Sequence, residues 1–348
     1  MILVLNCGSQ SIKWKVFGEN LEVVKEGKVS VSVQENFEDV LRQELVKINP
    51  SDRRTGRTQI KLIGHRVVHG GRTFVKPIKI TNENLTELEK INYLAPLHNP
   101  FSILGIKVCQ TVFSGIQQIA VFDTEFFKDL PEKAFSYALP EEITKKSGYR
   151  RFGFHGISHE YVAKEAQEKF KNYKNLKIIT CHLGGGASIT AIKNGKAIDT
   201  SMGFTPMQGL VMMTRAGDID SGVVLELVRD FGLDKTKEIL NKDSGIRGIC
   251  GEDSMLEVLR IINDKKTGNS EQQRKAKLAL DIFVYSIRKY IGSYFAILGG
   301  CDVLVFTGAI GEGSKKIRDM ICKDLKILVR TKVIAIETDE ELAIAQKL

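Results

Sequence analysis

The residues best able to do chemistry gather in turns. An apolar run (Leu176, Ile178, Ile179) gives way after His182 to three consecutive glycines, Gly184, Gly185 and Gly186. Without side chains to hold a ligand away, several backbone N–H groups there can point at one anion. Downstream, Arg215 lies between Thr214 and the polar run 217–220, with little apolar company to bury it. Near the start, Asn6-Cys7-Gly8-Ser9-Gln10-Ser11 supplies hydroxyls and N–H groups, followed by Lys13, and a third glycine turn occupies 307–314. Arg66 and Arg215 are candidates for planar two-point contacts to phosphate. The arrangement suggests bound phosphate; for the stretch 181–221 alone, a glycine-rich hairpin with a surface arginine is the plainer alternative.

All six histidines (His65, His69, His98, His155, His159, His182) fall in glycine- or turn-rich stretches, none in a clear helix interior. That segregation favours functional over core roles. Two pairs have the i,i+4 spacing that chelates zinc on a helix. The stretch between His65 and His69 reads as strand, where four residues span roughly 13 Å, too far for one ion. His155 and His159 could share an ion, but no glutamate follows the first as metallohydrolase chemistry requires. A zinc hydrolase is therefore the lesser reading.

These turns need elements to position them. Residues 2–5 read as a buried strand, 12–17 as its partner and 21–33 as a third. The layout returns at 176–199, where Asn194-Gly195 joins the last two strands. Two copies about half a chain apart suggest a duplicated domain. A helix follows at 37–48, a strand at 60–68, helices at 82–93 and 101–113, and a strand at 118–122 closing on Asp123. The second half carries helices near 158–170, 219–231 and 253–263. A long helix capped by Ser270 runs to Leu298 before Gly299-Gly300, then come a strand at 302–306 and a helix from Ser314. Alternating strands and helices predict an α/β fold with a largely parallel sheet in each half. The domain division is placed at 149/150: residues 1–149, then 150–340, with 341–348 packing back on the first.

At 348 residues, 43% hydrophobic and 27% charged, the chain suits two globular domains. No apolar run approaches the roughly 20 residues that span a bilayer, so no membrane association is expected. The opening MILVLNCGSQS lacks a basic n-region and cleavage site, so no signal peptide is expected. Six scattered cysteines without a CxxC pair suit reduced thiols and a cytoplasmic location. A balance of 51 basic and 42 acidic residues gives +9, a field that draws in small anions. No aromatic-studded basic strand or helix-turn-helix accompanies it, so nucleic acid is not an expected partner.

Neither a Walker A loop nor a kinase glycine loop is present. Phosphoryl transfer built from Gly/Ser hairpins in two similar halves points to the actin-like superfamily. Within it the sequence resembles the acetate kinases over nearly its whole length. The matching stretches are N-C-G-S-Q-S-I-K at 6–13, G-H-R-V-V-H-G-G at 64–71, L-A-P-L-H-N-P at 94–100 and V-F-D-T at 121–124. R-R-F-G-F-H-G-I-S-H at 150–159, H-L-G-G-G-A-S-I at 182–189, D-T-S-M-G-F-T-P at 199–206, T-R-A-G-D-I-D at 214–220 and F-T-G-A-I-G-E at 306–312 complete the set.

The resemblance implies two duplicated actin-like (ribonuclease H-like) domains with an active-site cleft between them, moving a phosphoryl group between ATP and acetate with Mg²⁺ or Mn²⁺. It also implies a homodimer. By the same analogy Asn6 and Glu340 hold the metal, while Ser9, Ser11 and Lys13 shape the phosphate side with His182, Gly184, Gly185 and Gly186. Arg66, Arg215, His155 and Asp123 surround the transferring group, with His155 and Arg215 stabilising the transition state and His98 nearby. Val68, Leu97, Phe154 and Pro206 form the pocket for the acetate methyl. Gly308, Ala309, Gly311, Gly313, Met255 and Glu257 occupy the nucleotide side.

The chemistry fits these residue types. A carboxylate with a pKa of about 4–5 is ionised at neutral pH and needs no general base. Bringing an anion against a polyanion is the obstacle, so positioning and electrostatics must supply most of the acceleration. Asp123 is then an orienter or holder of metal-bound water rather than a base.

Four departures from the family pattern matter. Gly185 replaces the usual asparagine; Ala309 and Gly313 replace a glycine and an asparagine; Met255 and Glu257 stand where an aspartate and an arginine contact the nucleoside. The chain is also shorter before residue 60 and at its C-terminus. Three of the four fall on the nucleotide side, which predicts retained carboxylate phosphorylation with a weakened preference for ATP and leaves another nucleotide or pyrophosphate as donor. The triple glycine is similar to butyrate kinases, so propionate or butyrate are alternative acceptors. An actin-like nucleotide-binding switch module is the alternative of another class.

Overall fold

The apolar run before Asn6 becomes β1 (Ile2–Gly8), which turns back through β2 (Ser11–Phe17) and β3 (Val23–Ser30) as an antiparallel meander. β4 (Leu62–Val67) pairs parallel to β1, and β6 (Gln117–Phe122) parallel to β4. The two-residue β5 (Ile78–Lys79) closes the edge, giving the order β3-β2-β1-β4-β6-β5. Successive residues of β1 face opposite ways. Leu3 and Leu5 enter a core with Leu41, Leu45 and Cys109, from the helices Phe37–Ile48 and Asn99–Val112. Val4 faces Ile344, of the helix Glu340–Ala345, and Ile157. Gly64 is required on that second face, because a β-carbon would sit 2.9 Å from Ile344 and 2.8 Å from Leu348.

The second sheet repeats the plan. β7 (Lys177–Leu183), β8 (Ala187–Lys193) and β9 (Lys196–Thr200) form the meander, with β10 (Val303–Thr307) parallel to β7 and β11 (Lys332–Ala335) parallel to β10. Its order, β11-β10-β7-β8-β9, matches β6-β4-β1-β2-β3 position for position. Asn194 and Gly195 have φ of 52° and 78°, the geometry of a two-residue hairpin turn. Ser270 accepts the Gln273 N–H at the start of the helix Glu271–Leu298, and Gly299 ends it at φ 64°.

The computed structural model describes residues 1–8, 11–31, 36–48, 60–264 and 270–348. They form two compact units: residues 1–128, 154–161 and 339–348, and residues 129–153 and 162–338. Two expectations change. Residues 129–149 belong to the second unit and 154–161 to the first, because long-range packing rather than the Tyr149–His155 turn sets the division. The sheets are mixed rather than largely parallel, since each meander must run antiparallel and only β1-β4-β6 and β7-β10-β11 run parallel. Among the described residues no helix is long and apolar enough to cross a membrane.

Candidate active site

Parallel strands that end together deliver their last side chains to one edge. In the first unit β1 ends near Asn6, β4 near Arg66, and β6 runs into Asp123. Arg66 donates Nε to Asp123 Oδ1 at 3.1 Å and Nη2 to Oδ2 at 2.7 Å. Its Nη1 lies 3.0 Å from Glu340 Oε2 and 3.3 Å from Asn6 Oδ1. Asn6 Nδ2 in turn donates to Glu340 Oε2 and Glu341 Oε1, both at 3.1 Å. Lys13 stands opposite Asn6 across the β1–β2 pair, and Ser11 opposite Gly8. Ser9 lies outside the described residues.

Burial opposes the charge on Arg66, but the Asp123, Glu340 and Glu341 carboxylates outweigh it and hold its pKa above the usual value. Burial pushes Asp123 up against the pull of Arg66, and Glu340 adds repulsion. Burial and the neighbouring Glu340 also raise Glu341, with the Asn6 amide and Lys13 opposing. Three buried carboxylates thus gather about one guanidinium with Lys13 nearby, a net negative charge that a further cation would relieve.

His155 adopts φ 55°, a left-handed conformation rare for a side-chain-bearing residue. Its backbone N–H donates to the Asp123 carboxylate. Phe154 is buried, its ring edge-on to His69 at 5.3 Å. Half-buried Val68 follows β4; half-buried Leu97 and His98 precede the helix Asn99–Val112, with His98 as its N-cap residue. Asn99, Thr124 and Glu341 join the site without a sequence signal of their own, although the first two lie in the L-A-P-L-H-N-P and V-F-D-T stretches. Asn99 exchanges hydrogen bonds with the His69 N–H and C=O, at 3.0 and 2.9 Å, and Thr124 Oγ1 accepts the Gly70 N–H at 3.1 Å.

The second unit carries the other half of the set. Half-buried Arg215 donates Nη1 to the Pro206 carbonyl at 3.1 Å. Among the described residues no carboxylate pairs with it, and burial lowers its pKa. His182 stands near the end of β7, paired with Thr307 of β10. In the glycine turn Gly184 N–H donates to Gly186 O at 2.9 Å, and Gly185 O accepts the Met213 N–H at 3.2 Å, which ties the turn to the Arg215 loop. The turn Gly308–Gly311 lies against β7. Gly308 has φ 76°, and a β-carbon there would stand 2.7 Å from Leu183 O. A β-carbon on Gly313 would meet Ala309 O at 2.5 Å, whereas Gly185 faces open space. Met255 is buried at the start of the helix Met255–Asn263, and the half-buried Glu257 is engaged by Arg260 of the same helix.

The histidines divide differently from their sequence setting. His65, His69 and His159 are buried, at 1%, 0% and 0% exposure. His159 lies inside the helix Gly156–Lys169 against the Phe127 ring. His65 Nε2 lies 2.7 Å from the Gln118 amide, and burial brings its pKa down to about 4. Tertiary packing, invisible in local composition, buries these three.

Among the described residues no three histidine, cysteine or carboxylate side chains converge as a metal cage. Mg²⁺ is held by one or two carboxylates with water and substrate phosphate. The oxygen donors Asn6 Oδ1 and Glu340, in a cluster rich in negative charge, fit that ion.

A family model described as the acetokinase family matches residues 25–345. The chain is 42% identical over 369 residues to acetate kinase 2 of Clostridium perfringens, covering 98% of this chain and 89% of that protein. The crystal structure of an acetate kinase from Porphyromonas gingivalis is similar at TM-score 0.83 and 36% identity, covering 99% of this chain and 98% of that one. That of a propionate kinase from Francisella tularensis gives 0.87 and 36%, with the same coverage.

Proposed function

Since the chain belongs to the acetokinase family, we propose that it transfers a phosphoryl group reversibly between ATP and acetate, giving acetyl phosphate and ADP. The observation that carries the reading is the two-point grip of Asp123 on Arg66 at the ends of β4 and β6. With both carboxylate oxygens so engaged, Asp123 orients a guanidinium instead of removing a proton. Acetate needs no deprotonation at neutral pH.

Arg66 and Arg215 neutralise the anionic partners and align them for in-line displacement. The two guanidinium groups differ in state. Arg66 is compensated by Asp123 and Glu340, while Arg215, with no carboxylate partner among the described residues, is ready to take a phosphoryl oxygen. His155 donates a hydrogen bond to the transferring group, and the apolar side chains of Val68, Leu97, Phe154 and Pro206 suit the acetate methyl. The backbone N–H groups of Gly185 and Gly186 receive donor phosphates, in a turn that the Gly184 N–H bond to Gly186 O holds in shape. Asn6 and Glu340 would hold Mg²⁺, which when bound neutralises donor phosphate charge. A cytoplasmic homodimer belongs to the same reading. It is supported by six free cysteines and by Leu225, Phe231 and Leu233, exposed at 70%, 56% and 58%.

Hydroxamate trapping of acyl phosphate over a matrix of donors (ATP, GTP, pyrophosphate) and acceptors (acetate, propionate, butyrate) tests the reading. Acetate with ATP should give the highest kcat/KM. Trapping with no pair would refute carboxylate phosphorylation. Faster turnover with pyrophosphate than with ATP would reassign the donor, as Met255 and Glu257 on the nucleotide side first suggest.

A further inference from the structure

Three side chains outside the transfer set meet beside two of its elements. The short helix Asp123–Phe127 begins with Asp123, and the helix Gly156–Lys169 begins one residue after His155. The two meet directly at their starts. The His155 N–H donates to the Asp123 carboxylate, and a β-carbon on Gly156 would fall 1.9 Å from Asp123 O. Further along both elements, Glu125 and Glu160 direct their carboxylates at one ammonium. Lys347 Nζ lies 3.1 Å from Glu125 Oε2 and 2.6 Å from Glu160 Oε2. The three side chains are mostly buried, at 15%, 12% and 20% exposure.

We propose that Lys347 is a positioning residue for phosphoryl transfer, bridging Glu125 and Glu160 so that Asp123 and the His155 backbone meet at the required spacing. The inference rests on the transferase reading above. Removing the ammonium leaves two carboxylates repelling each other from the elements that must stay together. The His155 backbone is the sensitive part, because its left-handed conformation persists only where its surroundings hold it. Lys347 also follows the helix Glu340–Ala345, which carries the second acid on Arg66. One segment therefore braces both the guanidinium and the histidine. An exposed ion pair would contribute little, but a mostly buried, doubly satisfied ammonium is a stronger constraint.

Lys347→Met should lower kcat about tenfold while leaving both KM values within about twofold, since misplacement acts on the reacting geometry. Lys347→Arg should recover most of the rate, and the reversed pair Glu160→Lys/Lys347→Glu should outperform either single change. Hydrogen exchange at 123–127 and 153–161 should quicken in Lys347→Met. That readout needs no turnover, so a wild-type protein making no acyl phosphate would sink the transferase reading while exchange still judged the bridge. Leu45→Ala, in a separate core cluster, serves as the stability control. Wild-type kcat with unchanged exchange in Lys347→Met would overturn the proposal, as would an equal kcat loss in Leu45→Ala at matched Tm. Should Lys347→Met fail to fold, Glu125→Gln and Glu160→Gln, which each leave one partner, should lower kcat about threefold. Unaltered kcat in both would overturn it.

Discussion

Asp123→Asn keeps the shape of the side chain and removes its charge. In the native protein Arg66 meets Asp123 through two parallel N–H···O bonds of 3.1 and 2.7 Å, with only 1% of the carboxylate side chain and 15% of the arginine exposed. An amide offers one acceptor and turns its own N–H groups toward the second guanidinium nitrogen, so one bond is lost and donor faces donor. Removing one member of a buried pair costs about 3–5 kcal/mol. Glu340, 3.0 Å from Nη1, retains part of the compensation, which points to the lower end, about 3 kcal/mol. If that energy holds Arg66 on the transferring group, kcat falls roughly a hundredfold. Because acetate stays ionised from about pH 6 to 9, the loss should be the same across that range. Hydroxamate trapping of acetyl phosphate, with kcat and KM resolved at each pH, measures it. A kcat within about threefold of wild type would refute the orienting role, and so would a deficit that closes as hydroxide replaces a lost base.

Three further outcomes follow from the same geometry. Arg215→Ala should lower kcat by about 10³, the scale of a single arginine finger. It should leave Tm unchanged or higher, because the guanidinium removed has no carboxylate partner among the described residues; calorimetry showing a large Tm loss would contradict this. His65 is held at about 4 against its ordinary 6.5, so between those values the unfolded chain binds the extra proton. Its contribution of about 3 kcal/mol is complete above the ordinary value and lost as pH falls to the folded one. His65→Gln should therefore flatten Tm against pH in that window, and an unchanged slope would rule the account out. Gly64→Ala should cost about 1–3 kcal/mol by overpacking Ile344 and Leu348; denaturant titration with no shift in midpoint would show that the helix Glu340–Ala345 yields freely.

What the sequence disclosed and what it hid divide by the reach of the interaction. The meanders, the Asn194-Gly195 turn and the Ser270 and Gly299 caps are local chemistry, legible within a few residues. The grouping of Asn6, Arg66 and Asp123 became readable through motif resemblance, although strand order is what brings them together. Glu341 stayed hidden because its partner Asn6 lies 335 positions earlier. β5 and β11, at two and four residues, are too short to show a period, and the helices Leu233–Lys242 and Gly245–Cys250 were passed over. Around His159 the neighbouring glycines suggest a turn, while the Phe127 ring and the helix interior decide its burial.

Residues 339–348 lie on the opposite side of the second unit's sequence from the β1 strand they pack against. On a ribosome, a nascent chain that has reached residue 338 has had every residue of the second unit synthesised, yet its first still lacks the acid for Arg66 and the packing partner for Gly64. The half that begins synthesis first is thus finished last. Until the final brace arrives, β1 and β4 keep an apolar face that only Ile157 and its neighbours cover, a period in which a chaperone has something to hold.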